Sequence, residues 1–383
     1  MKRLLGILCT CILCLGLLPF SAAAVDLNVP AKSALLMDVA TGTILYENNA
    51  HEALAPASVT KVMTMLLIME AIDSGRIHWD DTVTASETAA AKGGSQVYLK
   101  AGETMTVSDM LKAIAVSSAN DCACAMAEHL AGSESAFVDA MNARAKELGM
   151  NDTHFVNCTG LDDAPEAKDH LTSAHDIAVM SRELLKNHPD IKKFTTIWME
   201  TLRNGTFGLS NTNKMVRFYS GCTGLKTGFT SSAGYCLSAS AQRDGMELVA
   251  VVMGSESSKE RFAACKSMLD YGFANFAVVS PEAEQELTIP VNLGKADAVT
   301  AIPSEASTLL VDKSQASSVN IKTELEESVD APVSKGQRLG TMTISVGEQV
   351  LKQIPLVAET GVEKLSFSDI FLRMLKAISM ATS

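Results

Sequence analysis

The chain has 383 residues, 47% of them apolar and 20% charged. That is the make-up of a folded core in one large or two ordinary domains, and it excludes a disordered polymer. A net charge of −12 with no block of basic residues argues against nucleic acid as a partner.

At the N-terminus, Lys2 and Arg3 precede an apolar run from Leu4 to Phe20, and Ser21-Ala22-Ala23-Ala24 offers small residues for cleavage after Ala24. This is the pattern of a signal peptide over residues 1–24, so the mature chain is expected to be exported. Cys9, Cys11 and Cys14 lie in this segment without the small residues of a lipid-attachment box, and they read as apolar filler. The mature chain keeps Cys122, Cys124, Cys158, Cys222, Cys236 and Cys265, too few for a disulfide scaffold, and no spacing names a pair. Cys122-x-Cys124 has no second pair and the histidines are scattered, so no metal is expected.

Ser33–Tyr46 reads as strand, Ala-Thr-Gly turn, strand. Ala57–Ile72 follows as one buried helix. Leu111–Ala131 and Ala136–Leu148 are helical, the second stopped by Gly149, and Asp176–Lys186 is a helix capped by Ser173 or Asp176. Gly234–Ser240 and Met246–Met253 are strands joined through Asp244-Gly245, a hairpin signal, and Lys259–Asn275 is helical. Strands flanking a helical middle predict an α+β fold, an antiparallel sheet flanked by helices over residues 25–280. Beyond Val279–Pro290, short β-type runs alternate with turns and predict a small all-β domain, a β-sandwich, over residues 281–362. In the tail, residues 363–383, Phe367, Ile370, Phe371, Met374, Leu375 and Ile378 recur at helical spacing, with Asp369, Arg373 and Lys376 largely opposite. This predicts an amphipathic helix, too short and too charged to span a bilayer. It either docks on its own protein or lies in the plane of a membrane surface.

Three short motifs carry the chemistry. In Ser58-Val59-Thr60-Lys61 the first and last residues share a helix face, so their side chains can meet. A serine hydroxyl needs a base to act as a nucleophile, and a lysine serves only if burial or a neighbouring cation lowers its pKa. Pro56 fits a helix start, which would leave the Ser58 N–H for an oxyanion. Alone, S-x-x-K equally describes a capping serine beside a snorkelling lysine. The second motif, Ser118-Ala119-Asn120, closes an apolar helical segment. Its hydroxyl could relay a proton between Lys61 and a leaving group, and its amide could bind substrate backbone and the Lys61 head. The third, Lys226-Thr227-Gly228, reads as an edge strand. Lys226 would supply positive charge near Lys61, Thr227 a hydroxyl for a carboxylate, Gly228 room for substrate backbone, and Phe229 a second oxyanion N–H. Each is weak alone. The ordered set is the one shared by penicillin-binding proteins and class A β-lactamases.

From about Ser33 to Gly361 the chain resembles the low-molecular-mass penicillin-binding proteins, specifically the serine-type D-alanyl-D-alanine carboxypeptidases. The resemblance is carried by "APASVTK", "SSAN", "FVNCTGLDD", "HLTSAHDIA", "NTNKMV" and "GLKTGFTSSAGYCL". It implies a penicillin-binding protein / serine β-lactamase-like fold, with Ser58 as acylated nucleophile, Lys61 as general base and Ser118 as a catalytic partner. Asn120, Lys226, Thr227 and Gly228 would bind substrate, and the backbone N–H groups of Ser58 and Phe229 would form the oxyanion hole. Arg261 resembles a family arginine near the substrate carboxylate. Several relatives carry His where Phe229 stands, a change that leaves the backbone N–H in place. The implied reaction removes the terminal D-alanine of a peptidoglycan stem pentapeptide without a cofactor, β-lactams being the inhibitors. The implied place is the outer face of the cytoplasmic membrane, attached peripherally through the tail. The alternatives are endopeptidase or transpeptidase action on peptidoglycan, and a serine β-lactamase. The last needs a glutamate in E-x-x-L-N, and the nearest string, Glu147–Asn151, has the wrong spacing.

Overall fold

The computed structural model describes residues 27–282 and 286–381, with side chains described as far as Met374. The expected signal peptide, with Cys9, Cys11 and Cys14, lies outside the described residues, as do the side chains of Leu375, Lys376 and Ile378. The chain divides into two compact units after Gly272.

The first unit is built on a five-stranded antiparallel sheet. Its strands are β1 (Ser33–Asp38), β2 (Ile44–Asn48), β3 (Cys222–Thr230), β4 (Gly234–Arg243) and β5 (Met246–Ser255), in the order β2-β1-β5-β4-β3. The expected hairpin between β4 and β5 is present, with Asp244 and Gly245 at φ 49° and 79°. Two positive φ angles match the twist of paired strands. β1 is buried along its whole length, as a strand covered on both faces must be. Leu35, Met37, Val249, Val251 and Met253 join the main core, whereas Leu36 and Leu248 lie on the other face, against Gly272 in the helix Ser258–Asn275. Alternate residues thus serve two helical layers.

The sequence reading of Ala57–Ile72 as one helix needs correction. Ala57–Thr60 is a 3₁₀ turn, and the α-helix α1 runs from Lys61 to Asp73. Ala57 has φ 48°, which an α-helix cannot contain. Nearly all of α1 is buried, as expected of a helix apolar on every side. The reading of Leu111–Ala131 as continuous is also corrected: α2 (Val107–Ser117) and α3 (Asn120–Ala131) are separated by Ser118, left-handed at φ 65°. α4 (Glu134–Glu147) ends ahead of Gly149, whose φ of 74° stops it as expected. α5 (Ala174–Asn187) is capped by Ser173, which accepts from the Asp176 N–H at 3.2 Å. α5 lies on the sheet, with Ser181 and Ser238 hydroxyls 2.8 Å apart. Among the described residues, Cys122, Cys124, Cys158, Cys222, Cys236 and Cys265 are free thiols.

The second unit is all-β apart from its tail. A six-stranded sheet carries a core that includes Ile289, Leu339, Ile344, Ile354 and Leu356. The tail forms a helix, Phe367–Ala381.

Candidate active site

In the first unit β3 packs against the Ser58 turn, and α2 and α3, on either side of the Ser118 break, pack against α1. Lys61, in the first turn of α1, donates from Nζ to Ser58 Oγ at 3.2 Å and to the Thr159 carbonyl at 2.7 Å. Lys61 is wholly buried. Burial brings its pKa down to about 7, against the opposing pull of Cys158 and Asp121. The depression is therefore a desolvation effect first. The charge coupling expected from Lys226 is felt at Lys226 itself. That ammonium is 1% exposed and is held well below the ordinary lysine value by burial, then by Lys61, then by Arg261.

β3 is the edge strand that the sequence reading expected. It runs beside the Ser58 turn so closely that a Cβ on Gly228 would stand 2.7 Å from the Pro56 carbonyl oxygen and 3.1 Å from the Val59 nitrogen. Lys226 donates to the Thr227 carbonyl at 2.9 Å, and the Thr227 hydroxyl donates to Thr212 Oγ1 at 2.7 Å. Phe229 is exposed, its ring 4.3 Å from that of Tyr235. Arg261 is buried and grips the sheet, Nη1 donating to the Gly228 carbonyl at 2.8 Å and to the Cys236 carbonyl at 3.2 Å.

Ser118 and Asn120 flank the left-handed break between α2 and α3. Asn120 Nδ2 donates to the Gly93 carbonyl at 2.7 Å, rather than to anything near Lys61. Ser118 Oγ and Asn120 Oδ1 are both buried without a hydrogen-bond partner. Buried polar atoms normally find partners, and these two have none within the protein. The Ser118 hydroxyl makes no hydrogen bond to Lys61.

Sequence reasoning noted the stretch FVNCTGLDD only as part of the resemblance and gave its residues no role at the site. Asn157 Oδ1 accepts from Thr159 N at 3.1 Å, Thr159 Oγ1 at 3.1 Å and Gly160 N at 2.6 Å, folding residues 157–160 into a tight loop. That loop presents the Thr159 carbonyl to Lys61. Gly160, at φ 80°, passes so near the Ser58 turn that a Cβ there would fall 1.8 Å from the Ala57 carbonyl oxygen. Apart from that resemblance, the glycine two residues before an aspartate pair is indistinguishable in sequence from an ordinary turn. Asp121, wholly buried, accepts from the N–H groups of Val97, Leu99 and Cys122, pinning the segment that leads from Gly94 to the helix start at Asn120.

A family model described as D-alanyl-D-alanine carboxypeptidase matches residues 20–257, and one described as the C-terminal domain of penicillin-binding protein 5 matches residues 277–364. The D-alanyl-D-alanine carboxypeptidase DacF of Bacillus subtilis is 42% identical over 98% of both chains. Among solved structures, penicillin-binding protein 5 from Haemophilus influenzae aligns with a TM-score of 0.75 at 30% identity, covering 91% of this chain and 100% of its own. Penicillin-binding protein D2 from Listeria monocytogenes, solved in an ampicillin-bound form, aligns at 0.59 and 31% identity, covering 65% of this chain and 100% of its own.

Proposed function

This chain belongs to the D-alanyl-D-alanine carboxypeptidase family, and on that premise we propose that Ser58 is the residue acylated by substrate and by penicillin. The protein is a serine-type D-Ala-D-Ala carboxypeptidase acting on peptidoglycan outside the cytoplasm. One observation carries the residue assignment: a fully buried lysine with a pKa near 7 stands 3.2 Å from a serine hydroxyl at a sharp turn. Such an amine is substantially neutral at physiological pH and can take a proton.

In this reading Ser58 Oγ attacks the carbonyl between the two terminal D-alanines while neutral Lys61 takes its proton. The N–H groups of Ser58 and Phe229 hold the oxyanion. Ser118 passes a proton to the departing amine, the C–N bond breaks, and D-alanine leaves. Water activated by Lys61 then hydrolyses the ester and releases the tetrapeptide. Lys226, Thr227 and Arg261 receive the terminal carboxylate, whose arrival favours the charged form of Lys226. Gly228 admits the substrate chain along the open edge of β3, and Asn120 Oδ1 accepts a substrate N–H. A β-lactam acylates the same hydroxyl, but its leaving group stays tethered and the ester persists. Labelling with a fluorescent penicillin tests the nucleophile: wild type should label and Ser58→Ala should not. Retained label in the variant would refute the assignment. Release of a single D-alanine from a pentapeptide marks the carboxypeptidase, and cleavage of a cross-linked dimer would favour the endopeptidase reading instead.

The finer location also belongs to this reading: residues 25–280 as the catalytic domain and 281–362 as the β-domain of an exported chain, with the tail lying in the membrane surface. Phe367, Phe371, Leu372 and Met374 are exposed on the tail helix, while Arg373 donates to Asp297 Oδ1 at 3.1 Å. Among the described residues, no helix is long and apolar enough to cross a membrane. Deleting the chain from Lys364 onward should move the protein to the soluble fraction, and an unchanged membrane fraction would refute the anchor.

A further inference from the structure

Ser58 sits on backbone that an L-residue adopts reluctantly, because Ala57 before it has φ 48°. Something must hold that turn. The Ala57 carbonyl accepts from the Thr60 hydroxyl at 2.8 Å. Thr60 Oγ1 in turn lies 2.8 Å from His170 Nε2. On the far side of the ring, His170 Nδ1 accepts from the Val156 N–H at 2.9 Å. Thr60 and His170 are both buried.

These contacts fix every proton. A backbone N–H can only donate, so Nδ1 is an acceptor and the ring proton is on Nε2. Nε2 then donates to Thr60 Oγ1, whose single proton is left for the Ala57 carbonyl. The chain runs Val156 N–H to Nδ1, Nε2–H to Oγ1, O–H to the Ala57 carbonyl, with no donor facing a donor. It works only with a neutral imidazole. Burial, then His154, then Lys61 bring the His170 pKa down to about 4, so the ring is neutral throughout the physiological range. Those two are the titratable groups that bear on it. The same carbonyl passes over Gly160, so the relay ties the Ser58 turn to the loop that holds Lys61.

We propose that His170 is a positioning residue for the nucleophile, orienting the Thr60 hydroxyl so that the left-handed turn at Ala57 aims the Ser58 oxygen and N–H at the substrate carbonyl. The proposal rests on Ser58 being the acylated residue. His170 touches no reacting atom and acts through Thr60.

The test uses the full chain, with the acylation rate constant and dissociation constant for fluorescent penicillin measured beside the melting temperature. Thr60→Val keeps the shape and removes the hydroxyl. His170→Ala removes the far end, and His170→Gln offers an amide with both donor and acceptor. The expected result is a fall of about 10- to 100-fold in the acylation constant for Thr60→Val and His170→Ala, as for a reacting group displaced by a fraction of an ångström. The dissociation constant should stay near wild type. The double variant should be no worse than either single one, because both cut the same chain, and His170→Gln should recover most of the rate. Rates within twofold of wild type in Thr60→Val would overturn the proposal, as would losses that multiply in the double variant. If His170→Ala does not fold, Thr60→Val alone decides. Ser58→Ala run alongside separates the failures: label surviving in it sinks the nucleophile assignment, whereas no label there with full rate in Thr60→Val sinks only the relay.

Discussion

Acylation by penicillin should rise with pH through a midpoint near 7, set by Lys61. An ordinary lysine at 10.5 would be neutral in about one molecule in 3,000 at pH 7, whereas one with a pKa of about 7 is neutral in about half. The difference corresponds to roughly 5 kcal/mol of preference for the neutral form, and the side chain is wholly buried, so solvent does not screen it away. Rates of labelling between pH 5 and 9 should fall about tenfold per unit on the acid side and level off above 8. Stability supplies an independent reading with its own sign. The unfolded chain keeps this proton up to about 10.5 and the folded chain releases it near 7. Between those limits the unfolded state binds more protons, so stability rises with pH by about 1.4 kcal/mol per unit for this group. The burial penalty is absent above 10.5, grows as pH falls, and is complete below 7. Chemical denaturation of wild type and Lys61→Met from pH 7 to 10 should therefore show that slope in the difference between them. An acid limb centred above pH 9, or equal slopes in the two proteins, would refute the argument that burial makes this lysine a base.

Gly228→Ala should slow acylation by about 100-fold and also cost about 1–3 kcal/mol of stability, because the added methyl meets the Pro56 carbonyl 2.7 Å away and must push β3 off the Ser58 turn. A wild-type labelling rate would show that the strand has room. Asp121→Ala should cost about 3 kcal/mol in urea denaturation, since it abandons the buried N–H groups of Val97, Leu99 and Cys122. A loss below 1 kcal/mol would mean water takes over that role.

The elements legible in the sequence are those with local causes. The Asp244-Gly245 hairpin, the Ser173 cap and the stop at Gly149 follow from side chains acting within a few residues of themselves. The proximity of Ser58 to Lys61 was legible for the same reason, being a matter of spacing along one turn. What stayed hidden is non-local. The Thr159 carbonyl reaches Lys61 from 98 residues away, and His170 reaches Thr60 from 110. The left-handed Ala57 and Ser118 carry no glycine or asparagine to announce them, because tertiary contacts rather than propensity hold their backbones. The cause of the Lys61 shift was read partly amiss. Burial of Lys61 was legible from the apolar run around it, whereas the cation expected to depress it, Lys226, is not among the causes of its shift.

Ser118 Oγ and Asn120 Oδ1 are buried and find no hydrogen-bond partner within the protein. A ligand that reaches such an atom supplies a hydrogen bond the fold itself does not, and missing it costs about 1–3 kcal/mol. A guest that meets both atoms is favoured over an otherwise similar one that buries an oxygen without a partner. Discrimination then comes from intolerance of imperfect visitors, and the fold should melt later once a well-matched acyl group is seated.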